Sequence, residues 1–145
     1  MKIVLQRVNM ASVEVDKKIV GKIDKGYLLL VGIGENDTKE MADKLIDKIS
    51  KLRIFADEND KINLSIGDVD GSVLIVSQFT LYADLKKGNR PSFTQSAKPD
   101  FANEMYEYIL KISEGKFKKV EKGIFGADMK VSIENDGPFT LIFEA

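Results

Sequence analysis

The chain has 145 residues and a mass of 16.2 kDa, the size of one ordinary domain. It contains no cysteine and no histidine, which excludes disulfides, thiolate nucleophiles, thiolate zinc sites and histidine-based triads. Its 22 basic and 23 acidic side chains nearly balance, which argues against the coating of long nucleic acids. Any catalysis must use hydroxyls, lysines, carboxylates, backbone groups or the substrate itself. No carboxylate spacing indicates an all-oxygen metal site, so we expect neither metal nor cofactor.

Nothing in the sequence predicts insertion into a membrane or secretion. The longest apolar run, residues 27–33, is far shorter than the ~20 residues that cross a bilayer. Charged Lys2 and Arg7 interrupt the amino-terminal segment, unlike the apolar core of a signal peptide. We therefore expect a cytoplasmic protein with no membrane partner.

Strand patterns dominate the first quarter of the chain. Val13 and Val15 alternate with acidic residues, and a turn at Lys17-Lys18 leads to the apolar residues of segment 19–23. Residues 27–33 are apolar on both faces, which predicts a central strand covered on each side.

Two helices are predicted. The first begins at Asp37 or Thr38, and an apolar stripe at helical spacing contains Met41, Leu45, Ile49 and Leu52. The second begins with Pro99, whose missing N–H would have no helical acceptor, and ends at Gly115. Its apolar stripe contains Phe101, Met105, Tyr108 or Ile109, and Ile112.

The remaining segments complete a β-rich order. A turn at residues 68–71 precedes an apolar strand at 72–79, and residues 85–96 form a long loop. A strand from residue 129, a turn at 135–138 and a last strand at 139–143 follow. No linker or repeat divides the chain, so we expect a single domain over residues 1–145. Its class is α+β, with a largely antiparallel or mixed sheet and two main helices.

Polar side chains collect where the strand at 72–79 gives way to a loop. Such strand ends can present polar groups to a pocket. On an extended backbone Ser77 and Phe79 share one face, while Gln78 and Thr80 share the other. The alternative interpretation is that Gln78 and Thr80 only satisfy neighbouring backbone groups.

Two other segments carry candidate chemistry. Residues 135–138 predict either a plain hairpin turn or a cis Gly137–Pro138 peptide that lets backbone approach a ligand closely. A set of basic residues could hold the phosphates at an RNA end if the fold brings them together, whereas a solvated face is the ordinary alternative. This set comprises Arg7, Lys86, Lys87, Arg90, Lys116, Lys118, Lys119 and Lys122.

Five segments in register resemble the bacterial D-aminoacyl-tRNA deacylases. They are Gln6-Arg7-Val8, SQFTLYAD at 77–84, Arg90-Pro91-Ser92-Phe93, Phe125-Gly126-Ala127-Asp128-Met129 and NDGPFT at 135–140. The sequence departs from the family pattern at Phe139, where a smaller valine is expected, and at Asn89, where a second arginine is usual.

The resemblance implies hydrolysis of the ester between a D-amino acid and the terminal adenosine of tRNA, and of mischarged glycyl-tRNA. It also implies a barrel-like sheet and a homodimer in which a cis Gly-Pro of one subunit enters the other subunit's active site. Gly137 and Pro138 would be this chirality filter, with Arg7 also on the substrate-binding side. Ser77, Gln78, Phe79 and Thr80 would surround the ester and adenosine. The expected partner is aminoacyl-tRNA, and no DNA partner is expected.

The sequence is compatible with two mechanisms of hydrolysis and with two non-enzymatic functions. The tRNA 2′-OH can assist hydrolysis while Gln78 and backbone N–H groups near Phe79 bind the oxyanion. Alternatively Thr80 is a nucleophile, which needs a base that the composition supplies only as a lysine or carboxylate; Asp84 and Lys86 are nearest. The chain could instead be a non-catalytic RNA-end binding module or a plain interaction dimer.

Overall fold

Eight strands, two α-helices and a short 3₁₀ helix make up the computed structural model, which describes residues 1–145. The strands are β1 (Lys2–Val15), β2 (Lys18–Ile23), β3 (Gly26–Gly32), β4 (Arg53–Ala56), β5 (Ile62–Ser65), β6 (Ser72–Ser77), β7 (Val120–Lys122) and β8 (Lys130–Glu144). The helices are α1 (Lys39–Ser50) and α2 (Pro99–Glu114), and the 3₁₀ helix spans Phe79–Tyr82. The expected α+β class with two main helices is confirmed.

One mixed sheet organises the molecule. Its strand order is β2-β1-β3-β6-β7, and β8 pairs with the other edge of β1. β1 is antiparallel to β2, β3 and β8, whereas β3, β6 and β7 are mutually parallel. Residues 2–8 of β1 pair with β3, and residues 11–15 pair with β2. β4 and β5 form a separate two-stranded sheet.

The two ends of this strand order approach each other, so the sheet curls into a nearly closed barrel. The backbone N–H of Lys22 on β2 donates to the Glu121 carboxylate on β7, at 3.5 Å. A Cβ at Gly21 would overlap the carbonyl oxygen of Lys122, so this close approach requires a glycine. The barrel-like sheet implied by the resemblance is confirmed.

Two apolar clusters pack on opposite faces of the sheet. The barrel cluster fills the interior and contains Val8, Ala11, Val13, Ile23, Leu28, Leu74 and Val76. The helix-side cluster is larger and joins β1, β3 and β6 to α1 and α2. β3 contributes Leu28 to the first cluster and Tyr27, Leu29 and Val31 to the second, which confirms the predicted two-sided burial of this strand.

The structure shows which of the two predicted residues, Asp37 or Thr38, caps the start of α1. Thr38 is the N-cap, and its hydroxyl accepts the N–H of Met41 at 3.3 Å. Asp37 is instead buried, where its carboxylate accepts the N–H of Gly34 at 2.6 Å and contacts the amino group of Met1. The helix ends at Ser50, so Leu52 lies beyond it. The buried face is Ala42, Leu45, Ile46 and Ile49.

α2 begins at Pro99 and ends with Gly115 as its C-cap, as predicted. The prediction of its buried face is only partly confirmed, because that face is centred about one residue further toward the carboxyl end than the predicted apolar stripe. The buried positions are Ala102, Met105, Tyr106, Ile109, Leu110 and Ser113. Neither α1 nor α2 combines the length and the hydropathy that a bilayer-spanning helix needs.

Three tyrosines are held in their neutral form by the fold. Burial raises the pKa of Tyr27 and Tyr106 well above the ordinary value of 10.0. Burial, together with the charges of Asp37 and Glu144, raises the pKa of Tyr82 to about 12. The Tyr106 hydroxyl donates to the carbonyl of Ile75 at 2.7 Å.

We therefore expect the protein to lose stability as the pH rises above about 10. Unfolded tyrosine ionises near pH 10, so unfolding between that pH and the raised values releases protons and becomes more favourable with pH. Tyrosinate absorbance and circular dichroism, recorded together during an alkaline titration, should show ionisation and unfolding at the same pH. Complete tyrosine ionisation near pH 10 in a chain that remains folded would contradict this expectation.

Candidate active site

A cavity of about 580 Å³ opens at the carboxyl ends of the parallel strands β3 and β6. This volume is typical of pockets that hold a small molecule or the end of a larger one. The wall is mostly apolar and draws on β3, β6, the start of α2 and the residues around the start of β8. Its apolar members include Val31, Ile33, Val76, Phe93, Phe125 and Met129.

Ser77 and Gln78 supply polar groups to this wall, beside Phe79. β6 ends at Ser77, and Gln78 turns the chain into the 3₁₀ helix with φ −146° and ψ 82°. The Gln78 N–H still donates to the carbonyl of Val31 at 2.8 Å, so the link to β3 continues one residue past β6. The cavity wall therefore contains three of the four residues expected there.

Thr80 is the exception, because the backbone is not extended beyond Ser77. The prediction that Gln78 and Thr80 share a face of a strand is therefore wrong. Thr80 lies in the 3₁₀ helix, is exposed and does not line the cavity. The Gln78 side-chain amide nevertheless donates to the Thr80 hydroxyl oxygen. These two side chains thus bond each other rather than neighbouring backbone groups.

Phe79 forms one side of the cavity mouth. The residue is 56% exposed, and its ring meets the Phe93 ring edge-on, with centroids 5.0 Å apart. The N–H groups of Phe79 and Thr80 begin the 3₁₀ helix and have no acceptor within it. Backbone donors and an open aromatic face therefore lie together at the end of β6.

Residues 135–138 do not reverse the chain, so the hairpin prediction is wrong. β8 runs without a turn along β1, where Gln6 pairs with Thr140 and Val8 pairs with Asn135. Four residues of β8, 136–139, thus stand opposite the single residue Arg7, which forces them into a bulge. The Gly137–Pro138 peptide bond in this bulge is cis, and both residues are exposed.

Arg7 binds the bulge from the sheet side. Its Nε donates to the carbonyl of Asp136 at 3.1 Å and lies 3.2 Å from that residue's carboxylate. Its guanidinium lies over the Phe139 ring, 4.7 Å from the centroid, and also donates to the carbonyl of Ile54. With only 12% of the side chain exposed, Arg7 is occupied by protein groups and does not line the cavity. The aromatic ring at Phe139, a departure from the family pattern, packs against this guanidinium.

The eight basic residues considered as a possible phosphate-binding set do not converge on one surface of the structure. Lys116 pairs with Asp47 at 2.9 Å, and Lys118 pairs with Asp70. Both lie near the start of β6, where the Val73 N–H donates to the carbonyl of Lys119, at the opposite end from the cavity. Of the eight basic residues in this set, only Lys86, Lys87 and Arg90 belong to a loop bounded by cavity residues.

The residues selected from the sequence therefore form two separate groups. Ser77, Gln78 and Phe79 lie in the cavity, whereas Arg7, Gly137 and Pro138 lie in the bulge and outside the cavity of their own chain. The cavity wall also contains apolar residues that were not among the predicted site residues, namely Ile33, Ala97, Ala102, Ala127 and Met129. Of these, Ala127 and Met129 lie in residues 125–129, one of the five segments that resemble the family. No group of three or more acidic side chains is arranged to hold a metal ion.

Comparison with solved structures gives the same fold over the whole chain. One match is named "c-Myc DNA Unwinding Element Binding Protein": it has a TM-score of 0.94 and 37% identity, and the match covers 100% of this chain and 99% of that one. Another is described as a probable eukaryotic D-amino acid tRNA deacylase. It has a TM-score of 0.84 with 18% identity over 98% of this chain and 97% of that one, a likeness of fold alone.

Sequence comparison identifies the family. A sequence model described as D-Tyr-tRNA(Tyr) deacylase matches residues 4–144. A D-aminoacyl-tRNA deacylase of Flavobacterium johnsoniae is 54% identical, with 100% of this chain and 97% of the relative covered. One of Lactobacillus gasseri is 53% identical, with 99% of each covered. The chain belongs to the D-Tyr-tRNA(Tyr) deacylase family. It is accordingly an enzyme, a hydrolase of aminoacyl-tRNA esters.

Proposed function

We propose that this protein hydrolyses D-aminoacyl-tRNA and mischarged glycyl-tRNA in the cavity at the ends of β3 and β6, and spares L-aminoacyl-tRNA. The observation that carries the proposal is the polar end of β6, Ser77 to Phe79, set into an apolar cavity of about 580 Å³. The relatives' names support the substrate class. Such a substrate also supports a cytoplasmic location, where tRNA is charged and used.

Hydrolysis in this cavity proceeds without a protein nucleophile. The Thr80 oxygen accepts a hydrogen bond from Gln78, and no carboxylate or lysine lies within hydrogen-bond reach to take its proton. The 2′-OH of the terminal ribose is adjacent to the ester, so it activates water or protonates the departing 3′-oxygen. The backbone N–H of Phe79, with the Gln78 amide, binds the oxyanion of the tetrahedral intermediate.

Stereochemical selection uses a second copy of the chain. β8 is an edge strand of 15 residues that pairs only with β1, and it exposes Ile133 and 70% of Ile142. Unpaired edges of this kind associate readily, and a two-fold dimer would carry each Gly137–Pro138 bulge into the partner's cavity. Backbone atoms there would collide with an L side chain, whereas a D side chain or the hydrogen of glycine would fit.

The test is the release of amino acid from D-tyrosyl-tRNA, L-tyrosyl-tRNA and glycyl-tRNA, measured in parallel with the purified protein. We expect loss of the D-tyrosyl and glycyl esters, with the L-tyrosyl ester spared. Hydrolysis of all three esters would contradict the proposed chirality filter but would agree with the hydrolase activity. Analytical ultracentrifugation of the same sample should give a dimer, and a monomer with full selectivity would contradict the cross-subunit arrangement.

Binding of nucleic acid in addition to ester hydrolysis is the second candidate function. It is favoured by the solved structure at TM-score 0.94, whose name gives a DNA element as that protein's partner. This function predicts that uncharged tRNA, which has no ester to hydrolyse, is also retained with the protein on a filter.

A further inference from the structure

The loop at residues 84–92, which lies between Phe79 and Phe93 of the cavity wall, carries positive charge that no protein group neutralises. The segment 81–98 has four basic residues and one acidic residue, in a chain whose net charge is −1. Lys86, Lys87 and Arg90 are all exposed, and none of them forms an ion pair. The acidic residue, Asp84, has its carboxylate turned to the backbone N–H of Lys86, at 3.0 Å.

This loop is fixed at its base and open at its tip. Asp84 and Ser92 exchange two backbone hydrogen bonds, of 2.7 and 3.0 Å, which close the base. At the tip Gly88 has φ +64°, and a Cβ there would meet nothing within 4 Å. The base adjoins Phe79 and Phe93, which form the cavity mouth. The three cations are therefore held beside the entrance and project into solvent.

We propose that Lys86, Lys87 and Arg90 bind the phosphodiesters of the single-stranded acceptor end of tRNA as it leaves the cavity. The inference rests on the proposed function, because it assumes that the terminal adenosine occupies the cavity. Single-stranded nucleic acid is bound by cations along its backbone together with aromatic rings against its bases. The exposed Phe79 ring and the 70% exposed Leu85 supply the apolar part beside the loop cations.

A second group of lysines provides a matched control. Lys116, Lys118 and Lys119 also carry three positive charges, but the first two are paired with Asp47 and Asp70. They lie at the start of β6, whereas the cavity lies at its end. Six residues of strand separate the two ends by about 20 Å. Replacing either triplet by alanine changes the net charge equally, so the two variants differ in the position of the lost charges and in the two ion pairs that the control variant also loses.

The experiment compares wild type, K86A/K87A/R90A and K116A/K118A/K119A on D-tyrosyl-tRNA over a series of salt concentrations. We expect the loop variant to lose about ten-fold in kcat/KM, through KM alone. The slope of log(kcat/KM) against log[salt] should become shallower by about 2, because each phosphate contact on a single strand contributes about 0.7. On D-tyrosyl-adenosine, which has no phosphodiester, the loop variant should match wild type.

An unchanged KM and salt slope in the loop variant would overturn the proposal, and so would an equal loss of kcat/KM in the control variant. A loss on D-tyrosyl-adenosine as large as that on tRNA would also overturn it, because the loop would then shape the cavity and not bind RNA. If wild type hydrolyses no ester, the proposed function fails on its own. Filter binding of uncharged tRNA by the same three proteins then decides the role of the loop separately.

Discussion

Replacing the 2′-OH of the terminal ribose by hydrogen is expected to slow hydrolysis of the D-aminoacyl ester by at least ~100-fold, the effect of losing one transition-state hydrogen bond. The chain has no histidine, and Thr80 is exposed with its oxygen engaged by Gln78. The proposed mechanism therefore assigns proton transfer at the ester to the substrate 2′-OH. Single-turnover hydrolysis of 2′-deoxy and natural substrates, each charged at the 3′-oxygen, measures the difference.

Thr80→Ala serves as the protein-side comparison. We expect it to slow hydrolysis by roughly ten-fold or less, because it removes one hydrogen bond that orients Gln78. Inhibition of wild type by the 2′-deoxy ester would show that the analogue still binds. Loss of all activity in Thr80→Ala, together with normal turnover of the 2′-deoxy substrate, would instead establish the covalent mechanism.

Gly137→Ala is expected to lower the ratio of D to L hydrolysis rates by about 100-fold, which is the cost of misplacing a positioning group by about 1 Å. Gly137 has φ +130°, a region that L residues rarely adopt. An added Cβ would lie 3.1 Å from the N of Phe139 and 3.2 Å from Nη2 of Arg7. The bulge must therefore shift, and the backbone atoms proposed to exclude the L side chain shift with it.

Gly67→Ala is the matched control for this change, because an added Cβ there meets only the Ser65 hydroxyl, at 3.7 Å. Rates on D-tyrosyl-tRNA and L-tyrosyl-tRNA and the thermal midpoint should be recorded for both variants. Gly137 is exposed at an edge strand, so we expect Gly137→Ala to fold. A folded variant with unaltered selectivity would rule out the bulge as the filter.

Sequence patterns predicted the elements whose signals are local. Pro99 and Gly115 mark the ends of α2 because one lacks an N–H and the other lacks a side chain. The two-sided burial of β3 follows from an apolar run with no polar face. The resemblance selected Ser77, Gln78 and Phe79 as site residues, and the fold places all three in one wall of the cavity.

The features that were predicted wrongly depend on pairing between strands that are distant in the sequence. Asn135 to Pro138 have the composition of a turn, yet β1 lies alongside the whole of β8 and keeps the chain running forward. The excess residues become a bulge, which no local pattern of turn residues distinguishes from a hairpin. Likewise, Thr80 does not lie on the expected strand face, because the chain turns into a 3₁₀ helix directly after Gln78.

The cavity lies on the boundary between the two apolar clusters. Val76 belongs to the barrel cluster and Met129 packs against it, while Val31, Ile33 and Ala102 belong to the helix-side cluster. β1, β3 and β6 contribute side chains to both clusters, so a change of packing in either cluster shifts strands that carry the cavity walls. Mutations far from the cavity in either cluster would thus change its width, so variation among related sequences can tune which amino acids fit without altering any residue that touches the substrate.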